Sequence, residues 1–318
     1  MSAPPASRLP HPPSPLMGAD LLAALGVVVI WGLNFVAMKF SLREFTPFQL
    51  GTLRYLFAVL PLVFLIRKPA LSWRWLVPAG LAQLGQFGFL FVALDVGMTA
   101  ALASVVLQTQ VFFTTLLGVL FLNERLSGPL RLGLALAASG LGCFALNIAG
   151  GGGAVGGGIT LLGLGLNLAS AAMWAASNIV VRRAQQARPG YDPVGFVVWM
   201  SLVPILPFAA MAWFFEPIAT RWQWTHASLG AWAGAAYLGW FATVAAYGLW
   251  TGLLMRHPAN RVAPFSLGVP VVGLAAGMLL LGERVAPLQW AGSACVVAAL
   301  GVVMFGARLA RRWRPASS

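Results

Sequence analysis

Long apolar runs separated by short polar stretches recur along the whole chain. Ten of them are about 20 residues long, at roughly 19–39, 47–66, 75–95, 100–121, 129–148, 158–181, 194–215, 229–254, 262–281 and 287–307. About 20 helical residues cross a hydrocarbon core of roughly 30 Å. The pattern therefore predicts an all-α membrane protein with ten transmembrane helices. A membrane β-barrel would instead show shorter segments of alternating polarity.

The spans fall into two sets of five. Ala103–Arg125 and Val262–Arg284 share one layout, and pairing Glu124 with Glu283 also places Gly133 on Gly292 and Gly142 on Gly301. Trp31–Lys39 parallels Trp174–Arg182, and Pro47 and Pro61 match Pro193 and Pro207 at equal separation. A Gly-rich linker, residues 150–158, lies between the halves 19–149 and 159–307. Five crossings are an odd number, so the second copy enters from the opposite side, which predicts two inverted five-helix repeats.

Composition agrees with this picture. Hydrophobic residues make up 59% of the 318 and charged residues only 8%, against about 25% charged in a soluble domain. Residues 1–18, rich in Pro and Ser, read as a disordered tail, and residues 308–318 as a basic C-terminal tail. Leu21–Phe40 has no suitably placed small-residue cleavage site and reads as a retained span rather than a signal peptide.

The net charge of +13 does not point to nucleic acid, because the Lys and Arg residues lie mostly between spans. With the N-terminus in the cytoplasm, 15 of the 20 fall on the cytoplasmic side and four outside. That bias predicts cytoplasmic termini. Cys143 and Cys295 each sit inside an apolar span and read as packing residues.

No phosphate-binding loop, paired-His metal motif or Gly-x-Ser-x-Gly motif is present, so neither a cofactor nor an enzymatic activity is expected. The informative residues are polar groups inside spans, which face protein or water rather than lipid. Arg54 stands seven residues past Pro47, roughly 10 Å inward at 1.5 Å per residue. A charge there needs a partner, either a substrate carboxylate or backbone carbonyls. Asn34 and Asn178 occupy parallel positions in the two halves. Gln83 and Gln86 share one face of the third span, whereas Gln108 and Gln110 are two apart and point differently. Trp174, Trp199, Tyr247 and Trp250 are mid-span aromatics. No carboxylate lies at the centre of a span, which leaves Asp95, at the end of the third, as the candidate for proton coupling.

WGLNFV (Trp31–Val36), QFGFLF (Gln86–Phe91), LASVVLQTQVFFT (Leu102–Thr114), RVAPFSLGVPVVGL (Arg261–Leu274) and LGER (Leu281–Arg284) together carry a resemblance. From about residue 20 to 305 the chain resembles the drug/metabolite transporter superfamily and, within it, the EamA family, particularly its O-acetylserine/cysteine-exporting subgroup. The resemblance implies an exporter of cysteine-pathway metabolites in the bacterial inner membrane. It also implies a cavity lined by Asn34, Arg54, Gln86, Gln108, Trp174, Asn178, Trp199 and Tyr247. Met200 stands where the second repeat would echo Arg54, so the expected site is asymmetric.

The leading expectation is a secondary transporter that exports small amino-acid metabolites by alternating access. The alternative is export of aromatic or lipophilic compounds by the same fold. A remoter one is a membrane scaffold or embedded enzyme. The expected partners are a small-molecule substrate and the lipid bilayer.

Overall fold

The computed structural model describes residues 17–122, 128–152, 159–257 and 259–312. The Glu124–Arg125 pair and most of the Gly-rich linker lie outside the described residues. Ten helices are long and apolar enough to cross a membrane: α1 (Ala19–Ser41), α2 (Pro47–Leu65), α3 (Trp73–Asp95), α4 (Ala100–Gly118), α5 (Gly128–Gly150), α6 (Leu161–Ala187), α7 (Pro193–Phe214), α8 (Leu229–Leu254), α9 (Pro264–Leu281) and α10 (Pro287–Gly306). There is no strand among the described residues. The expected span ends hold to within a few residues, except that α6 runs on to Ala187.

Local sequence explains where the helices begin. Thr46 and Gln49 form a reciprocal capping box with Pro47 as the first helical residue of α2, which satisfies N–H groups that a helix start leaves unpaired. Asp192 caps α7 by accepting from the Val194 and Gly195 N–H groups, again with a proline, Pro193, as the first helical residue. Thr99, Thr160 and Ser228 cap α4, α6 and α8 with their hydroxyls. The α9 helix ends at Gly282, whose φ of 66° is left-handed and suits glycine.

Burial is arranged for an apolar surrounding. Leu120 and Leu279 on the bundle surface are 72% and 83% exposed, whereas Arg54, Gln83, Gln86 and Asn167 are buried. The most extensive packing joins spans of the first five to spans of the last five: α3 with α6, α5 with α10, α1 with α9, and α2 with α7. The α5–α10 pair approaches closely through small residues, as favoured in membranes. A Cβ on Gly140 would lie 2.7 Å from the Gly292 carbonyl oxygen, and one on Gly292 would lie 2.8 Å from that of Gly140.

Besides the breaks at Leu60–Pro61 in α2 and Ser201 in α7, α4, α8 and α9 depart from regular α geometry. In α4 a 3-10 turn covers Leu107–Thr109, and a second, Ala263–Leu267, leads into α9. The two meet, since Gln108 Nε2 donates to the Ser266 carbonyl at 3.2 Å. In α8, Tyr237–Ala245 is π-helical, a widened turn often found at functional sites. Irregular backbone is tolerated at this depth where protein covers it.

Candidate functional site

The π segment of α8 packs against α1 and α2 at the position of Arg54. Gly239 makes this approach available, because a Cβ there would lie 2.7 Å from the Arg54 carbonyl oxygen. Trp31 Nε1 donates to the Ala242 carbonyl at 3.1 Å and the Tyr237 hydroxyl to the Ile30 carbonyl at 2.8 Å. These bonds clamp the widened turn onto α1.

Arg54 is 1% exposed. Its Nη1 donates to Asn34 Oδ1 at 3.1 Å, and its guanidinium carbon lies 3.7 Å from the centroid of the Phe87 ring. Its Nε is buried without a hydrogen-bond partner. Among the described residues no carboxylate forms an ion pair with it. A buried arginine is costly, about 2.5–3.5 kcal/mol at a helix centre on insertion scales. Here it is balanced by a neutral amide and an aromatic face, which attract a cation without cancelling its charge. Gln86, also 1% exposed, has an Oε1 with no hydrogen-bond partner. Arg54 thus keeps an unused donor, and Gln86, next to Phe87 in the chain, an unused acceptor.

The walls are aromatic. Tyr55, fully buried, stacks on Phe208 with ring centroids 5.9 Å apart and meets Phe87 edge-on at 6.1 Å. Its hydroxyl lies 3.4 Å from Gln83 Oε1. Tyr247 meets Trp31 edge-on at 5.2 Å, and Trp250 tilts against Trp31 at 5.5 Å.

Asn34, Arg54 and Phe87 therefore belong to one neighbourhood, with Tyr247 joined to it through Trp31, and Gln86 precedes Phe87 on α3. The other expected site residues have local partners. Gln108 is bonded across the two helix breaks. Asn178 Nδ2 donates to Gln110 Oε1 at 2.9 Å and to Thr114 Oγ1 at 3.3 Å. Trp199 Nε1 donates to the Ile66 carbonyl at 3.0 Å and its ring packs edge-on against Trp73. Trp174 packs on the main apolar core. Asp95 is exposed at the C-terminal end of α3. Phe87 escaped the sequence reading because it sits in an apolar run. Its place four residues after Gln83 puts it on the same helix face, and that signal could have found it.

The acidic residues cluster at helix ends. On the face where α1 ends, hereafter the far face, Glu283 accepts from the Ala100 and Ala101 N–H groups at 2.7 and 2.8 Å. Glu216 accepts from Thr46 Oγ1 and from the Phe48 N–H. Glu44 accepts from the N–H and hydroxyl of Ser228. Each carboxylate meets the start of a helix, where N–H groups are unpaired and the dipole favours negative charge. The Ser228 bonds hold the Glu44 carboxyl below the usual carboxylate range. Burial pushes Glu216 above it, against the pull of its two hydrogen bonds. On the opposite, near face, Asp20 pairs with Arg256 at 2.9 Å and His257 at 2.6 Å. Among the described residues no three His, Cys, Asp or Glu side chains are grouped to hold a metal.

The EamA-like transporter family model matches residues 19–146 and again 161–305. A Salmonella typhimurium protein named "Probable amino-acid metabolite efflux pump" is 40% identical, covering 93% of this chain and 98% of its own length. An Escherichia coli K12 protein of the same name is 38% identical over 93% and 97%. One solved crystal structure superposes with a TM-score of 0.63 over 93% of this chain and 99% of its own, at 19% identity, a likeness of fold alone. With ten membrane-spanning helices and two matches to that model, this chain is a multi-pass membrane protein that belongs to the EamA-like transporter family.

Proposed function

We propose that this protein exports small zwitterionic amino-acid metabolites, such as cysteine, O-acetylserine or related compounds, by alternating access across the bacterial inner membrane, with both termini cytoplasmic. The observation that carries the reading is the Arg54 guanidinium, buried and bonded to the neutral Asn34 amide. A substrate carboxylate would neutralise it, and the Gln86 Oε1 would accept from the substrate ammonium. The name shared by the Salmonella and E. coli relatives supports the substrate class, and the excess of Lys and Arg on one side supports the orientation. In this reading the five-span halves are inverted repeats that rock about the centre, and Asp95 is the group a coupling proton would use. The substrate is moved without chemical change.

The test is release from liposomes that hold the purified protein and are loaded with labelled cysteine or O-acetylserine, with and without a proton gradient. Release above protein-free liposomes, lost in folded Arg54→Ala protein, is the expected result. No release of either compound by folded protein overturns the substrate class. A second reading, export of aromatic or lipophilic compounds, draws on the wall formed by Trp31, Phe87, Tyr247 and Trp250. Under that reading aromatic compounds compete with labelled cysteine while aliphatic amino acids do not.

A further inference from the structure

Between α2, α7 and α8 lies a cavity of about 690 Å³ that shares no residue with the Arg54 centre. Its wall is a continuous series of rings. Trp213 meets Trp222 at 6.5 Å, Trp222 meets Trp224 at 6.2 Å, and Trp224 meets Trp232 at 6.4 Å. Phe57 then joins Trp232 to Trp240 at 6.3 and 5.1 Å. Trp240 Nε1 closes the deep end by donating to the Leu60 carbonyl at 2.8 Å.

The slot's dimensions match one lipid leaflet. Its lining on α2 runs from Gln49 to Pro61, and the eleven steps from Gln49 to Leu60 rise about 16 Å at 1.5 Å per residue. Half of a hydrocarbon core is about 15 Å. The slot opens sideways on the bundle surface, where Trp240 is 40% and Leu60 43% exposed. The polar side chains of α2 that line it are already engaged. Thr52 bonds to the Phe48 carbonyl, and Gln49 to the carbonyls of Thr220 and Arg221.

One cation stands at the mouth. The Arg221 guanidinium carbon lies over Trp213, 4.4 Å from the ring centroid. Its Nε is buried without a hydrogen-bond partner. Arg221 forms no ion pair among the described residues. A stacked guanidinium is suited to bidentate recognition of phosphate. Tryptophans at the membrane boundary suit the junction of headgroup and acyl chain.

We propose that this slot binds an anionic phospholipid of the far-face leaflet, with its phosphate on Arg221 and one acyl chain along the aromatic wall. A free phosphate would leave the apolar slot unused. A zwitterionic amino acid would leave its ammonium without an acceptor there.

The experiment is native mass spectrometry of the full-length protein in detergent, titrated with phosphatidylglycerol. Wild-type protein is expected to retain one lipid. Arg221→Ala should weaken that adduct at least tenfold, and Ala212→Trp, which fills the slot, should weaken it similarly. Affinity unchanged in Arg221→Ala overturns the proposal, and this surface variant serves if Ala212→Trp does not fold. Equal retention of phosphatidylcholine overturns the anionic assignment. Displacement of the lipid by labelled cysteine or by a lipophilic dye assigns the slot to a transported compound and also overturns it.

Discussion

Arg54 donates to Asn34 at 3.1 Å, and the acceptor is an amide where a carboxylate would ordinarily stand. Asn34→Asp would supply an internal counter-charge in nearly the same volume. It is expected to fold with unchanged or raised thermal stability and to lose at least tenfold in cysteine release, because the anion position is filled. Asn34→Ala leaves the buried guanidinium short of an acceptor and should cost about 1–3 kcal/mol. Wild-type release by folded Asn34→Asp protein would remove Arg54 from the substrate site.

The α5–α10 contact gives a packing test with its own control. Gly140→Leu drives a side chain into the Gly292 carbonyl and should cost about 1–3 kcal/mol, as overpacking does. Gly142, two residues on, has nothing within 4 Å of a Cβ, so Gly142→Ala should stay within about 0.5 kcal/mol or gain slightly. Thermal unfolding of both variants in one detergent is the measurement.

Gln108 joins the two broken helices. Interhelical hydrogen bonds in membranes average about 0.6 kcal/mol and reach about 1.7. Gln108→Ala should lower stability within that range, and Gln108→Leu should not recover it, since the bond rather than the volume is lost. A neutral Gln108→Ala would show that the breaks hold without this bond.

Two carboxylates on the far face should give opposite pH signatures. Glu216 has a raised pKa in the folded protein, so the folded state binds more protons than the unfolded one just above the ordinary carboxylate range. Its contribution is full below that range and is lost as pH rises through the raised value. Glu44 has a lowered pKa, so its contribution is full above the ordinary range and is lost as pH falls through the lowered value. Melting temperatures from pH 3 to 8 should flatten on the upper side in Glu216→Gln and on the acid side in Glu44→Gln. Identical profiles in both variants would contradict the assignment.

The helices and their order were legible in the sequence because span length and apolar runs follow directly from bilayer thickness. The Arg54 position was legible for a related reason, since a charge seven residues inside a span must be housed. The partners were not. Asn34 and Asn178 look equivalent along the chain, yet Asn34 meets Arg54 while Asn178 meets Gln110 and Thr114. Which neighbour each finds depends on how α2 and α4 pack, and periodicity does not encode that. The Ser266 carbonyl that Gln108 meets was not legible either, because nothing in the local sequence announces two adjoining 3-10 turns. The interlocking of the first five spans with the last five is likewise a property of the packed bundle.

Glu44, Glu216 and Glu283 each reach from one set of five spans to a helix start in the other, all on the far face. They act in parallel, so releasing one leaves the two sets still joined by the other two. Single Gln substitutions should change the opening rate of that face only modestly, and the triple substitution by about the product of the three. On the near face Asp20 ties the first set to the last through Arg256 and His257, so Asp20→Asn should raise the opening rate of that face. Charge thus fastens the two sets at both ends of the bundle, by helix starts on the far face and by a cation and an imidazole on the near one.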